Sequence, residues 1–89
     1  MIKHIKLTIT GRVQGVWFRY NTKKEADELG VYGFVKNLTN GDVYIEAEGT
    51  KEQLEKFVIW CNKGPTQARV DNVNEKNGSL EHFKNFEIK

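Results

Sequence analysis

The spacing of apolar residues along this chain changes twice from a strand pattern to a helix pattern, and that order restricts the folds it can adopt. The first pattern is an alternation with polar residues: Ile5, Leu7 and Ile9. It predicts a strand with one buried face. The second pattern has helical spacing: Phe18, Thr22, Ala26 and Leu29. Because Gly30 can end a helix in a left-handed conformation, we expect a helix over about residues 19–29.

Two further strands are predicted after this helix, over residues 32–38 and 43–48. Both segments are rich in branched and aromatic residues. Asn40-Gly41 lies between them, and both residue types tolerate the positive φ angles that a tight hairpin turn requires. The two strands are therefore expected to be antiparallel neighbours.

The second helix has the strongest helical signal in the chain. Thr50 and Gln53 fit a capping box, in which each side chain bonds the other residue's backbone N–H. Apolar residues follow at i, i+3, i+4 and i+7: Leu54, Phe57, Val58 and Cys61. Gly64-Pro65 ends the pattern. We then expect a strand over residues 68–73, a polar loop over 74–79, and a last extended piece marked by Phe83, Phe86 and Ile88.

The resulting order is strand, helix, strand, strand, helix, strand and a terminal strand. Because β-α-β crossovers are right-handed, both helices should lie on one face of an antiparallel sheet. This is the split β-α-β, ferredoxin-like arrangement. We therefore predict an α+β fold whose other sheet face is open to solvent. At 89 residues the chain is expected to form a single domain, residues 1–89.

Charge, cysteine content and hydropathy narrow the classes of function. The formal net charge is only +2, which does not favour nucleic-acid binding. Cys61 is the single cysteine, so no internal disulfide can form. No apolar run is long enough to span a membrane, and the first residues lack the apolar core of a signal peptide. We therefore expect a cytoplasmic monomer that binds neither nucleic acid nor membrane.

Residues 11–19, the 11–19 loop, lie between a predicted strand and a predicted helix. Backbone N–H groups in the first turn of a helix have no internal partner, and with the helix dipole they bind anions. Gly15 allows a backbone conformation in which these N–H groups point toward one place. The planar guanidinium of Arg19 can donate hydrogen bonds to two phosphate oxygens at once. An anion site is one interpretation. The other is an ordinary turn followed by a solvated arginine, with Trp17 and Phe18 in the core.

Asn37 is the second candidate, near the end of the predicted 32–38 strand. Asparagine is disfavoured inside strands. Its side chain can cap the following turn, or it can act as a neutral donor and acceptor that holds a water molecule. Both interpretations remain open at this point.

The two candidate segments resemble the two signature motifs of the acylphosphatase family. The first motif matches residues 11–19 throughout. The second matches residues 33–37, followed at its usual spacing by three further residues: Gly41, Val43 and Gly49. The resemblance covers the whole chain and implies an acylphosphate phosphohydrolase, an enzyme that hydrolyses acyl phosphates.

The resemblance also implies a role for each site residue. Arg19 and Asn37 would be the catalytic residues: the arginine binds the phosphate and the asparagine positions the attacking water. The substrate phosphate would be bound by five backbone N–H groups, those of Gln14, Gly15, Val16, Trp17 and Phe18. Inorganic phosphate and sulfate would compete with the substrate. No metal and no cofactor are expected.

Acyl phosphate chemistry fits the residue types in the two motifs. The leaving carboxylate has a pKa of roughly 4, so it departs without a proton from the enzyme. A phosphate monoester would leave as an alkoxide and need a general acid or a metal. The motifs contain no histidine, and His4 and His82 are isolated in the sequence, so we expect neither to bind metal. Cys61 is expected in the core.

Two other functions are compatible with parts of the sequence. RNA-recognition modules share this order of elements and expose aromatic residues on the open sheet face, although their aromatic motif lies on the third strand. Gly33-Phe34-Val35 falls on the second strand here, and the charge is balanced. The second alternative is a non-catalytic acylphosphatase-like domain that serves as an accessory or ligand-binding module, as in carbamoyl transfer.

Overall fold

A computed structural model describes residues 1–89 and contains two helices and five strands. The elements in chain order are β1 (Ile2–Arg12), α1 (Phe18–Leu29), β2 (Tyr32–Asn37), β3 (Val43–Thr50), α2 (Lys51–Lys63), β4 (Arg69–Asn77) and β5 (Phe86–Ile88). The predicted order and the predicted α+β, ferredoxin-like fold are confirmed.

The five strands form one sheet in the order β4-β1-β3-β2-β5. The pairs β1–β4, β1–β3 and β2–β3 are antiparallel, as predicted. β5 differs, because it pairs in parallel with β2 and makes the sheet mixed. β4 ends at the end of the sheet where β2 begins. A chain that crosses the sheet at that end therefore enters β5 in the direction of β2.

β4 is longer than the sequence pattern indicated. Residues 74–79 were expected to be a loop, but the strand continues to Asn77, which pairs with Ile5 of β1. This outermost strand is held by backbone bonds to β1, and most of its side chains are exposed. The apolar alternation that reveals a half-buried strand is therefore missing. At the other end, only Phe86–Ile88 of the expected terminal piece is a strand.

The connection between β2 and β3 differs from the tight turn predicted at Asn40-Gly41. Leu38 N–H donates to Asp42 O at 2.8 Å, and Gly41 N–H donates to Leu38 O at 3.2 Å. Gly41 has a positive φ of 99°, whereas Asn40 does not have a positive φ. Asn40 contributes its side chain instead, because its Oδ1 accepts the Asp42 N–H at 3.0 Å. Residues 38–42 therefore form a compact loop, the hairpin loop.

Both helices pack on one face of the sheet around a core of 16 buried apolar residues. The predicted capping box of α2 is present: Thr50 Oγ1 accepts the Gln53 N–H at 3.2 Å, and Gln53 Oε1 accepts the Thr50 N–H at 2.8 Å. Leu54 and Cys61 are buried on the inner face of α2, as predicted. Burial raises the pKa of the Cys61 thiol, so this cysteine stays protonated. Neither helix combines the length and the apolar character that crossing a membrane requires.

The opposite face was expected to be open to solvent, but residues 78–85, the crossing segment, cover one end of it. His4 is buried there and is not isolated: its Nδ1 lies 2.7 Å from Glu48 Oε2, and its Nε2 lies 2.8 Å from Glu46 Oε1. The Phe83 ring stacks on the His4 ring, with centroids 5.7 Å apart. This cluster could not be predicted from the sequence, because Glu48 follows His4 by 44 residues.

Glu48 attaches the crossing segment to the sheet. Its carboxylate accepts the N–H of Glu81 at 2.6 Å and the N–H of Phe83 at 3.0 Å. Burial by itself would raise the pKa of Glu48. The bonds from Glu81, His4 and Phe83 outweigh burial and hold the pKa below its ordinary value. The charged carboxylate is therefore part of the folded structure.

Candidate active site

The 11–19 loop connects the end of β1 to the start of α1. Gly15 has φ 73°, and Trp17, the N-cap of α1, has φ 64°. A left-handed conformation costs a non-glycine residue about 1–2 kcal/mol, and such strain is concentrated at functional sites. Trp17 makes no side-chain cap. None of the hydrogen bonds has a backbone N–H donor between Gln14 and Phe18, so these groups are free to bind a ligand.

Gly11 sits where the register between β1 and β4 shifts, between Thr10 and Gly11. Its φ is 131°, and an added Cβ would overlap the backbone oxygen of Arg69. Only glycine allows β4 to approach this closely. The start of the 11–19 loop is therefore fixed by the sheet itself.

One cavity of about 490 Å³ lies beside this loop. Five of the seven predicted site residues line it: Gly15, Trp17, Phe18, Arg19 and Asn37. The two motifs, which are separated in sequence, are thus brought to one place because β1 and β2, on either side of β3, end at the same end of the sheet. Val16 does not line the cavity, because its side chain is buried in the core. Gln14 does not line it either, and its side chain is bonded to the hairpin loop.

Arg19 lies in the first turn of α1, and no Asp or Glu side chain pairs with its charge. Its Nη1 donates to the backbone oxygen of Lys89 at 3.0 Å. This bond orients the guanidinium from one side and leaves its other N–H groups for a ligand. Because β5 runs parallel to β2, Lys89 reaches the end of the sheet where the cavity lies.

Asn37 is the last residue of β2, and its Oδ1 is buried without any hydrogen-bond partner. No other buried side-chain nitrogen or oxygen in the chain lacks a hydrogen-bond partner. Buried polar atoms are nearly always bonded, and an exception calls for a missing ligand or water. The unpaired oxygen belongs to a residue that lines the cavity. Asn37 therefore has an unused acceptor at the edge of the cavity, which a small donor reaches when the side chain turns toward it.

The rest of the cavity wall is apolar. Trp17 and Tyr20 are 71 % and 59 % exposed, and their rings meet edge to face with centroids 6.4 Å apart. Ile88 of β5 completes this side. Tyr20 and Ile88 were not predicted. Tyr20 follows Arg19 in the first turn of α1, so its place in the sequence could have indicated that it belongs to the site. Ile88 could not be found from sequence, because only the parallel pairing of β5 with β2 brings it to the site.

Comparison with known proteins identifies the family. The family model described as acylphosphatase matches residues 5–88. The chain belongs to the acylphosphatase family. An acylphosphatase of Vibrio cholerae serotype O1 is 45 % identical over 84 residues, which cover 93 % of this chain and 92 % of that relative.

Solved structures agree with the acylphosphatase assignment. The structure of an acylphosphatase from Coxiella burnetii superposes with a TM-score of 0.95 at 39 % identity, covering 99 % of this chain and 93 % of that one. Part of a much larger protein is also similar. Full-length HypF, solved in a phosphate- and nucleotide-bound form, matches with a TM-score of 0.89 at 26 % identity, over 12 % of its own length. The acylphosphatase fold thus occurs both in short chains and inside a longer one.

Proposed function

We propose that this protein hydrolyses the carboxyl-phosphate anhydride bond of acyl phosphates, producing a carboxylate and inorganic phosphate. Membership of the acylphosphatase family supports the reaction class. The observation that carries the mechanism is the unpaired, buried Oδ1 of Asn37 beside the cavity that Arg19 also lines. A water bound to that oxygen would satisfy it.

The phosphoryl group binds to the 11–19 loop. The free N–H groups of Gln14, Gly15, Val16, Trp17 and Phe18 donate to its oxygens at the positive end of the α1 dipole. Arg19 adds a charge that is present in both the bound substrate and the transition state. These groups hold the phosphorus in a fixed position for attack.

The nucleophile is a water molecule held by Asn37. Its Oδ1 accepts a hydrogen bond from the water and aims the oxygen lone pair at phosphorus, in line with the departing carboxylate. An amide is too weak a base to remove the proton completely. The proton passes to a phosphate oxygen or to solvent as the phosphorus–oxygen bond to the carboxylate breaks.

The wall of the cavity suits an activated substrate. It contains Arg19 and Asn37 but no Asp, Glu or His side chain, the groups that most often act as general acids. A carboxylate with a pKa of roughly 4 needs none. Its acyl substituent lies against the apolar side formed by Trp17, Tyr20 and Ile88.

The test is hydrolysis of benzoyl phosphate by the purified chain, followed by the loss of substrate absorbance. We expect turnover of benzoyl phosphate and none of glycerol 3-phosphate, a monoester with an alkoxide leaving group. Asn37→Ala provides the matched inactive protein. Equal turnover by the wild type and this variant would point to a contaminating enzyme and contradict the proposal.

The same assay separates the proposed enzyme from the alternative, a non-catalytic accessory or ligand-binding module of the same fold. Such a module would bind phosphate without turnover. We further propose that inorganic phosphate and sulfate act as competing anions, that residues 1–89 work as one domain and a monomer, and that the protein acts in the cytoplasm. Sedimentation with and without phosphate tests the monomer.

A further inference from the structure

The side chain of Gln14 joins the two halves of the site. Gln14 lies in the 11–19 loop, yet its amide reaches the hairpin loop that follows Asn37. Its Nε2 lies 2.7 Å from Leu38 O and 2.9 Å from Asp42 O. These are the first and the last residue of the hairpin loop. One partly buried side chain therefore spans from the phosphate-binding backbone to the loop next to the water-binding residue.

Only an amide nitrogen explains these two contacts. A glutamine NH₂ carries two donors, and both are used here on two backbone carbonyls. The flipped amide would turn its oxygen toward two other oxygens, which is repulsive, so the orientation is settled by the partners. Position 14 thus requires a side chain of this length that ends in two donors.

The bonds are additional to those that close the hairpin loop. Leu38 O also accepts the Gly41 N–H, and Asp42 O also accepts the Leu38 N–H. The loop is therefore closed by its own backbone, and Gln14 uses the second lone pair of each carbonyl. Removing the Gln14 amide leaves the hairpin formed but less restrained, so that its own hydrogen bonds open more often and it can shift relative to the 11–19 loop.

We propose that the Gln14 side chain is a positioning residue, which sets the separation between the bound phosphoryl group and the water held by Asn37. This inference rests on the proposed function. It assigns Gln14 a second role beside its backbone N–H: the phosphate site and the water site lie on different elements, and this amide is the side-chain bond between their loops.

Gln14→Met tests the role, because methionine has nearly the same length and no donor. We expect kcat for benzoyl phosphate to fall by about 10–100-fold, the cost of a misplacement of about 1 Å. The inhibition constant for inorganic phosphate should change little, because the backbone N–H groups remain. Gln67→Met, at an exposed glutamine that does not line the cavity, is the matched control and should keep wild-type kcat.

Gln14→Glu distinguishes a positioning role from a merely structural one. Only the positioning role predicts that kcat depends on the protonation state of residue 14. The ionised carboxylate faces two carbonyls with acceptors only, so kcat at pH 7 should be at least as low as for Gln14→Met. On acidification the acid gains an O–H donor. Relative to wild type at the same pH, kcat of Gln14→Glu should therefore recover in part as the pH falls toward the pKa of this carboxyl, which the two facing carbonyls place at or above the ordinary glutamate value of about 4.3. Gln14→Met should show no recovery.

The failure of this inference can be told apart from the failure of the proposed function. If the wild type hydrolyses benzoyl phosphate and folded Gln14→Met has normal kcat, the positioning role is wrong. If Gln14→Met loses phosphate affinity as strongly as kcat, the side chain supports phosphate binding instead. Hydrogen exchange needs no turnover: Leu38 and Gly41 amides should exchange faster in Gln14→Met at equal global stability. Unchanged exchange would contradict the bond between the loops.

Discussion

At the scale of single residues, Arg19 and Asn37 line the same cavity but meet different partners in the proposed reaction. The guanidinium touches the phosphoryl group, whose charge is present from binding to product release. The Asn37 oxygen touches a water that matters only during attack. Substitutions at the two positions should therefore change different kinetic constants.

Arg19→Lys keeps the positive charge but loses the planar fork, so it should weaken phosphate binding and slow turnover together. Asn37→Ala should reduce kcat by at least about 10²-fold, the cost of removing a comparable transition-state contact. Its phosphate inhibition constant should barely change. The measurements are kcat, KM and the phosphate inhibition constant for both variants, with folding checked by circular dichroism.

Two results would contradict these roles. Loss of phosphate affinity in Asn37→Ala as large as in Arg19→Lys would make the asparagine a phosphate ligand. Near-normal kcat in Asn37→Ala would remove it from the reaction.

Five of the seven predicted site residues line one cavity, and the sequence could point to them because they lie within two short motifs. The contacts between the motifs were not predictable. Gln14 reaches Leu38 across 24 positions, and Arg19 reaches Lys89 across 70. Such hydrogen bonds depend on which strands become neighbours in the sheet, and the local sequence pattern does not show the order of the strands.

At the scale of secondary-structure elements, the inner face of α2 supports the sheet. Leu54 is only 5 % exposed and belongs to the core. Leu54→Ala should lower the free energy of unfolding by about 2–5 kcal/mol, through lost apolar contacts and the cavity that remains. Ile59 on the same helix is 71 % exposed, so Ile59→Ala should change the free energy of unfolding by less than about 0.5 kcal/mol. Urea denaturation of both variants measures the difference, and equal losses would mean that the helix faces are misassigned.

The crossing segment gives a pH-dependent contribution to stability. The pKa of Glu48 is held below its ordinary value of 4.5 in the folded protein, so its charged form favours folding. That contribution is complete above about pH 4.5 and is lost as the pH falls through the lowered value. Glu48→Gln should therefore destabilise the protein by about 1–3 kcal/mol at pH 7 and less in acid.

Glu55→Gln is the control for this measurement, because Glu55 is exposed and forms no ion pair. Chemical denaturation of the wild type and of both variants at pH 7 and at pH 3 gives the six free energies needed. A Glu48→Gln loss that stays constant between the two pH values would show that the carboxylate charge does not hold the segment.

The helices and the central strands were predictable because each carries a periodic apolar face and a local stop signal, such as the Thr50 capping box. β4 and β5 were predicted less well for opposite reasons. β4 is held by backbone pairing with β1 and has few buried side chains. Its polar sequence pattern is therefore typical of a loop. β5 has only three residues, which is too short for a period to appear.

At the scale of the whole molecule, the proposed reaction uses positioning and charge that the chain supplies itself. EDTA should therefore leave kcat/KM for benzoyl phosphate unchanged, and added Mg²⁺ should not raise it. The assay needs protein purified without metal-affinity resin, so that no leached ion is present. A large loss with EDTA that a divalent ion restores would overturn the mechanism.

The polar outer strand also affects how copies of the molecule meet in a concentrated solution. An edge strand offers unpaired N–H and C=O groups, onto which a second chain can add and begin an aggregate. β4 opposes such growth with charged side chains along its length: Arg69, Asp71, Glu75 and Lys76. At the opposite edge, β5 has only three residues, which is too little for a stable addition. The polar composition that concealed β4 in the sequence therefore also protects the folded protein from edge-to-edge aggregation.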